Sequence, residues 1–198
     1  MEVVILHASD AHCNTDAVKR VLKSENYDAV VFSGDAECIA TAEALLRAPA
    51  PVAAVTGNMD TASISRLYLQ AGVLLDGRIA ETLSLKLGGV GGLDPASSME
   101  RLLSHNMSVD ILVTHHPPRG VLDLTGFGVR AGLEQLWKAI GRLAPRLHLF
   151  GHIHESSGYE GGGGVIFVNP GPLYEGRYAL VKLGRTGINV SLRRIHSV

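Results

Sequence analysis

Apolar residues fall along this chain in short bursts, and the polar residues that follow each burst are drawn from a few types. Residues 3–6, 28–32, 51–55, 109–113 and 147–150 are brief apolar runs of the kind that fill strands buried on both faces. Helical spacing lies between the first of them. Residues 16–23 put Ala17, Val18, Val21 and Leu22 on one face, with Thr15 as the expected N-cap. Residues 38–48, rich in Ala and Leu, predict a second helix. Residues 61–71 predict a third, with Thr61 or Ser63 near its start. This β-α-β-α-β-α succession implies parallel strands joined by right-handed crossovers.

The pattern then changes. Residues 81–87 (ETLSLKL) alternate and predict one amphipathic strand with a wet face. Helices are expected over 96–106 and 129–143, the latter ended by Gly141 or Pro145. Residues 161–164 are four glycines and read as a turn or loop. Residues 165–168, 178–183 and 188–193 then predict three consecutive strands joined by short turns. The expected fold class is α/β, a two-layered β-sheet sandwich flanked by helices. With no internal repeat and no dividing linker, residues 1–198 are expected to form a single domain.

Composition narrows the function. Hydrophobic residues make up 46% and charged residues 19%, as in an ordinary globular chain. The formal net charge of −1 carries no basic excess, so no extended nucleic acid is expected as a partner. Any positive charge offered to a phosphate must come from something other than surplus lysine. Cys13 and Cys38 are too few for a disulfide framework and lack the Cys-x-x-Cys spacing of a structural zinc site. Cys13 reads as a tolerated small residue. Met1 and Glu2 lead straight into an apolar strand, without the pattern of a signal peptide, and no apolar run reaches the roughly 20 residues of a membrane span. A cytoplasmic location and no membrane partner are the expectation, and a homo-oligomer is compatible with the chain.

The chemistry sits at the strand ends. In open α/β sheets, sites form beyond the carboxyl ends of the strands. The five buried runs deliver Ser9–Asp10–Ala11–His12, Ser33–Gly34–Asp35, Thr56–Gly57–Asn58–Met59–Asp60, Thr114–His115–His116 and Gly151–His152–Ile153–His154. Carboxylate, amide and imidazole donors suit Mn²⁺, Fe²⁺, Ni²⁺ or Zn²⁺ better than Ca²⁺ or an iron–sulfur cluster. Seven such residues exceed the needs of one ion, and two ions sharing a carboxylate would use them all. Gly34, Gly57 and Gly151 permit close backbone approach.

These motifs, in this order, resemble those of the calcineurin-like metallophosphoesterases: D-x-H at Asp10–His12, G-D at Gly34–Asp35, G-N-x-D at Gly57–Asp60, a histidine after a strand at His115, and G-H-x-H at Gly151–His154. The segment Val168–Asn169–Pro170–Gly171–Pro172 resembles the family's closing N-P-G, and the short chain is similar to its small prokaryotic phosphodiesterase branch. The resemblance implies a four-layer α/β/β/α fold and two divalent metal ions, Mn first, with Ni, Fe or Zn as alternatives. Asp10, His12, Asp35 and His154 would hold one ion. Asp35, Asn58, His115 and His152 would hold the other, with Asp35 bridging. Asp10, Asp35, Asn58 and His116 are the candidate catalytic residues.

Hydrolysis of a small phosphate ester, a diester before a monoester, is the activity implied. A non-catalytic protein-interaction scaffold of the same fold, as in a retromer subunit, is the alternative. Retention of all seven ligand types favours the enzyme. Met59 departs from the pattern, since many members carry a histidine there that assists the leaving group. His116 is the candidate substitute. Asp60 is expected to cap a helix or orient a ligand. His7 and His148 read as core or supporting groups, His105 and His196 as surface residues. Arg119 is within reach of a substrate phosphate or simply solvated.

Overall fold

The computed structural model describes residues 2–184 and 187–195, so the expectation for His196 lies outside the described residues. The first half builds as its periodicity predicts. Strands β1 (Val3–Ala8), β2 (Ala29–Phe32) and β3 (Val52–Ala54) alternate with helices α1 (Thr15–Ser24), α2 (Ile39–Leu45) and α3 (Ala62–Gln70). The three strands pair in parallel. Asn14, rather than Thr15, caps α1, its side chain accepting from the Ala17 amide. Thr61 caps α3 through the Ile64 amide.

The second half departs from expectation in four places. The alternating stretch is two antiparallel strands, β4 (Ile79–Thr82) and β5 (Leu85–Val90). Leu83 and Ser84 turn between them at φ 54° and 62°, and neither is the Asn or Gly that usually marks such a turn. After α4 (Pro95–Ser104) and β6 (Ile111–Thr114), helix α5 spans only Leu136–Leu143. The preceding loop is gathered instead by the buried Asp123 carboxylate, which accepts from the Gly120 and Gly132 amides and from Arg130. Following β7 (Leu147–Leu149), an exposed strand β8 (Gly158–Gly162) pairs with β9 (Val165–Asn169), so only Gly163 and Gly164 of the glycine run form the turn. Finally, β9 does not pair with β10 (Arg177–Leu183). The chain crosses between sheets there, and only β10 and β11 (Ile188–Arg194) form a hairpin.

Two mixed sheets result, ordered β11-β10-β1-β2-β3 and β4-β5-β6-β7-β9-β8. Strand alternation sends Ile5, Val31 and Ala53 of the first against Ile111, Leu147 and Val168 of the second, forming the core between sheets. Leu6, Val30 and Phe32 point the other way and pack on Val18, Val21, Ile64 and Tyr68 of α1 and α3. Leu112 and Phe167 do the same beneath Leu102, Leu136 and Ala139 of α4 and α5. Full burial of such a side chain is worth about 1.5–3 kcal/mol. The four layers bring the carboxyl ends of β1, β2, β3, β6 and β7 to one edge.

Candidate metal centre

The loops at that edge are strained and tightly laced. Asp10, His12, Cys13, Asp35, Glu37 and His152 all adopt left-handed backbone, with φ between 42° and 70°. Each costs a non-glycine residue about 1–2 kcal/mol, so the surroundings must enforce it. Four backbone bonds join the β1–α1 loop to the β2–α2 loop: Asp10 N to Gly34 O, Ala11 N and His12 N to Asp35 O, and Cys13 N to Ala36 O, all 2.9–3.1 Å. The Asp60 carboxylate accepts from the amides of Asp35, Glu37 and Gly57, so it shapes the loop while Thr61 caps the helix. Thr56 is fixed by Asp76 through both its amide (3.0 Å) and hydroxyl (2.6 Å). The closing segment has a mechanical part here. Asn169 donates to Ile153 O, while the amides of Leu173 and Tyr174 donate to Ser9 O and Asp10 O.

Glycine is required where these loops touch. A Cβ on Gly34 would lie 2.6 Å from the Gly57 amide and 2.7 Å from His115 Nδ1. One on Gly57 would strike the Asp35 side chain, and one on Gly151 would strike Ser9 and Asp10.

On this frame the side chains converge. His115 Nδ1 lies 2.8 Å from the Ser33 carbonyl, which can only accept, so Nδ1 carries a proton and Nε2 faces the centre. Around that Nε2 stand Asn58 Oδ1 at 2.7 Å, His152 Nδ1 at 3.1 Å and Asp35 Oδ2 at 3.4 Å. Met59 N holds the other Asp35 oxygen at 2.8 Å, aiming Oδ2 between His115 and His12 Nε2, the latter 4.0 Å away. On the second side, the Glu37 carboxylate binds His12 Nδ1 at 3.0 Å and so turns His12 Nε2 inward. There it meets His154 Nε2 at 3.4 Å, with Asp10 Oδ1 3.9 Å from His12 and 3.3 Å from His154. The other Asp10 oxygen accepts from the His152 amide. All seven expected ligand residues therefore stand around one short stretch of the sheet edge.

The electrostatics pair imidazoles with carboxylates. Burial alone would depress His115, but the Asp35 and Asp10 carboxylates outweigh it and hold the imidazole up at about 9. Burial would likewise raise Asp10, yet His154 and His115 draw it down to about 2. Asp35 is also lowered, its burial overcome by His115 and by the Met59 amide. His154 is raised by its contact with Asp10. His152 is pushed down to about 4 by burial and by the neighbouring His115. The Asn58 and Asp35 oxygens both crowd His115 Nε2, more than one proton can serve, and Asp10 Oδ1 is buried without a well-aligned hydrogen bond. A donor set of carboxylate, amide and imidazole with surplus lone pairs fits divalent metal ions. Ligand atoms of Asp10, His12 and His154 lie within 4.8 Å of one another, as do those of Asp10, Asp35 and His115.

His116 borders the site. Its ring centroid is 4.3 Å from that of His152 and 5.1 Å from that of His115. Burial and those two imidazoles push it down to about 3. Met59 is half exposed and places no donor beside the centre other than its own amide. His7 and His148 are buried, bonded to Ser33 and Thr114 through one ring nitrogen each. Arg119 lies on an exposed loop with Nε 3.9 Å from Glu134, and His105 is a surface residue. Glu37 escaped sequence reasoning. Its signal was slight, an acidic residue two places after the G-D motif. Cys13 is more than a tolerated small residue, since it forms a disulfide with Cys38.

Comparison with known proteins agrees with this geometry. A human metallophosphoesterase domain-containing protein is 46% identical over 63 residues, which is 31% of this chain and 19% of that protein. The matched stretch thus covers about a fifth of the curated relative. Among solved structures, a dimetal phosphatase from Danio rerio superimposes at a TM-score of 0.69 with 12% identity, covering 97% of this chain and 96% of that one. A novel archaeal phosphodiesterase does so at 0.61 with 17% identity, over 96% and 99%. These two likenesses establish the fold. The model of the calcineurin-like phosphoesterase superfamily domain matches residues 1–183, and the chain belongs to that superfamily.

Proposed function

We propose that this protein is a dinuclear-metal phosphoesterase that hydrolyses small phosphodiesters, with Mn²⁺ as the preferred ion. One observation carries the reading: Asp35 Oδ2 stands between His115 (3.4 Å) and His12 (4.0 Å), at the junction of two donor groups. Asp10, His12 and His154 form one group around it, and Asn58, His115 and His152 the other. When bound, two divalent ions would supply Lewis-acid charge to the phosphoryl oxygens and a water nucleophile at neutral pH.

The chain's own work is positioning. Ser33 and Glu37 keep the Nδ1 protons of His115 and His12 turned outward, leaving both Nε2 lone pairs for the centre. Asp60 and Met59 N fix Asp35, and Asn58 extends its amide oxygen beside His115. His116, tilted against His152 with ring centroids 4.3 Å apart, is the candidate to meet a leaving oxygen in place of the histidine that Met59 replaces, and since burial keeps it neutral it would do so as an imidazole N–H hydrogen-bond donor. The preference for diesters rests on charge, since a diester brings one negative charge fewer into a cleft already holding Asp10 and Asp35. The archaeal structural neighbour, itself a phosphodiesterase, supports the same choice. Among the described residues, no helix is long and apolar enough to cross a membrane; a cytoplasmic setting is part of the proposal.

The deciding assay is turnover of bis-p-nitrophenyl phosphate against p-nitrophenyl phosphate with added Mn²⁺. Metal-dependent turnover favouring the diester is expected, and none on either ester would reject the reading. His116→Ala should slow alkyl esters by about 10-fold and p-nitrophenyl esters far less, because only the poor leaving group needs a hydrogen-bond donor as its charge develops. Equal losses on both would assign His116 a purely structural part.

A further inference from the structure

Cys13 follows His12, and Cys38 follows Glu37, the residue that orients His12. Their disulfide therefore ties the two loops that carry one side of the centre. Between Asp10 and the disulfide the loops are joined by backbone hydrogen bonds and by the contacts of His12 with Glu37 and Asp35. Five of the left-handed residues, Asp10, His12, Cys13, Asp35 and Glu37, lie in this pair of loops. The inner hydrogen bonds are buried, and the covalent tie reinforces the outer end, where His12, Cys13 and Glu37 approach solvent. The bond is also within reach of a reagent. Cys13 is exposed and lines an open pocket with His12, Asn14, His154 and Tyr174, while Cys38 is half buried. The rest of the frame does not depend on it, since Thr15 Oγ1 and Thr41 Oγ1 join α1 to α2 at 2.9 Å.

We infer that Cys13 and Cys38 form a reversible thiol–disulfide site that sets how firmly the His12 side of the centre holds its metal ion. This rests on the two-ion reading above. The reaction partner is a dithiol reductant or its disulfide. A thiolate of the dithiol attacks the exposed Cys13 sulfur, the intramolecular S–S bond breaks, and Cys38 leaves as a thiolate that takes a proton from water. The second thiol then displaces Cys13, which is protonated in turn. The protein gains two electrons and two protons, and the dithiol becomes a disulfide. Oxidation is the reverse. Disulfides in a reducing cytoplasm are transient and tend to be redox-sensing. In that setting the oxidised form is the signalled state, and it is the one with His12 and Glu37 locked together.

The test uses the full chain in three forms: oxidised, reduced with the phosphine then removed, and Cys13→Ser/Cys38→Ser. Free thiols are counted by alkylation and mass spectrometry across a series of glutathione ratios, and Mn²⁺ binding is measured by equilibrium dialysis. The pair should convert between no free thiol and two. The reduced chain and the double variant should bind one of two Mn²⁺ ions about tenfold more weakly, the low end of what losing a ligand's supporting partner costs. The reduced wild-type chain decides the matter if the variant misfolds. Thiols that stay free in oxidised glutathione, or equally tight binding of both ions in both states, would overturn the clamp alone. Absence of Mn²⁺ binding in every form would overturn the two-ion reading and the clamp with it.

Discussion

His115 and His12 approach the same carboxylate, Asp35, from opposite sides, yet they are held by different means. The His115 side chain is 0% exposed and is oriented by a backbone carbonyl, that of Ser33. His12 is 23% exposed and is oriented by a side chain, Glu37, itself 36% exposed. Around His115 the frame is continuous with the strands. Ser33 follows β2 and His115 follows β6, so rigidity comes from sheet pairing and from the core between the sheets. Around His12 the frame is two loops with positive φ, a carboxylate and a disulfide. One side is therefore set by the fold itself, and the other by groups that mutation, solvent or redox state can reach. On the two-ion reading, the inner side is expected to be the tighter and less adjustable binding position. The same reading predicts that the outer side is where the centre is tuned.

The largest effect should come from removing what the two sides share. Asp35→Asn takes the negative charge from between them and is expected to lower kcat/KM on bis-p-nitrophenyl phosphate by about 10³-fold or more. Metal analysis of the dialysed protein should find both ions depleted. Retention of two ions with near-normal turnover would break the bridging assignment. A smaller, contrasting pair follows from burial. In the metal-free chain, His115→Ala leaves the Ser33 carbonyl and the buried Asp35 carboxylate without their partner, at a cost of about 3 kcal/mol in urea unfolding. His12→Ala, at a partly exposed position, should cost less than about 1 kcal/mol. Equal losses would mean that the two sides do not differ in how the fold supports them.

The five strand-end motifs were legible because each ligand follows directly on a short apolar run, and a buried parallel strand can deliver a side chain only at its carboxyl end. The helices over α1 and α3 were legible from spacing for the same local reason. What escaped was non-local or lacked the usual residue chemistry. No sequence pattern announces that Ser33 O would receive His115 Nδ1 from 82 residues away, or that Cys13 and Cys38, 25 residues apart, would meet. Strand β8 is mostly glycine and exposed, so it carries no apolar alternation, and it exists because β9 offers an edge to pair with. The turn at Leu83 and Ser84 hid inside an alternating stretch, since nothing in those residue types marks a left-handed turn.

The outer side should respond to a change that leaves every ligand in place. Glu37→Gln keeps the size of the residue but removes the charge that fixes His12 Nδ1–H. Affinity for one Mn²⁺ ion should fall about tenfold, and the other should be unaffected. Calorimetric titration reads both. No comparable substitution exists on the inner side, where the partner of His115 is main chain. A loss shared by both ions would show that the two sides are not separately supported.

The central claim is that two ions sit at this sheet edge, divided between the His12 and His115 groups and joined at Asp35. Anomalous diffraction from crystals grown with Mn²⁺ tests it most directly. Two peaks are required, one touching Asp10, His12 and His154, the other Asn58, His115 and His152, with Asp35 reaching both. His154→Ala crystals should lose the first peak and His152→Ala crystals should weaken the second. A single peak in the wild type, or the same peak lost in both variants, would contradict the account.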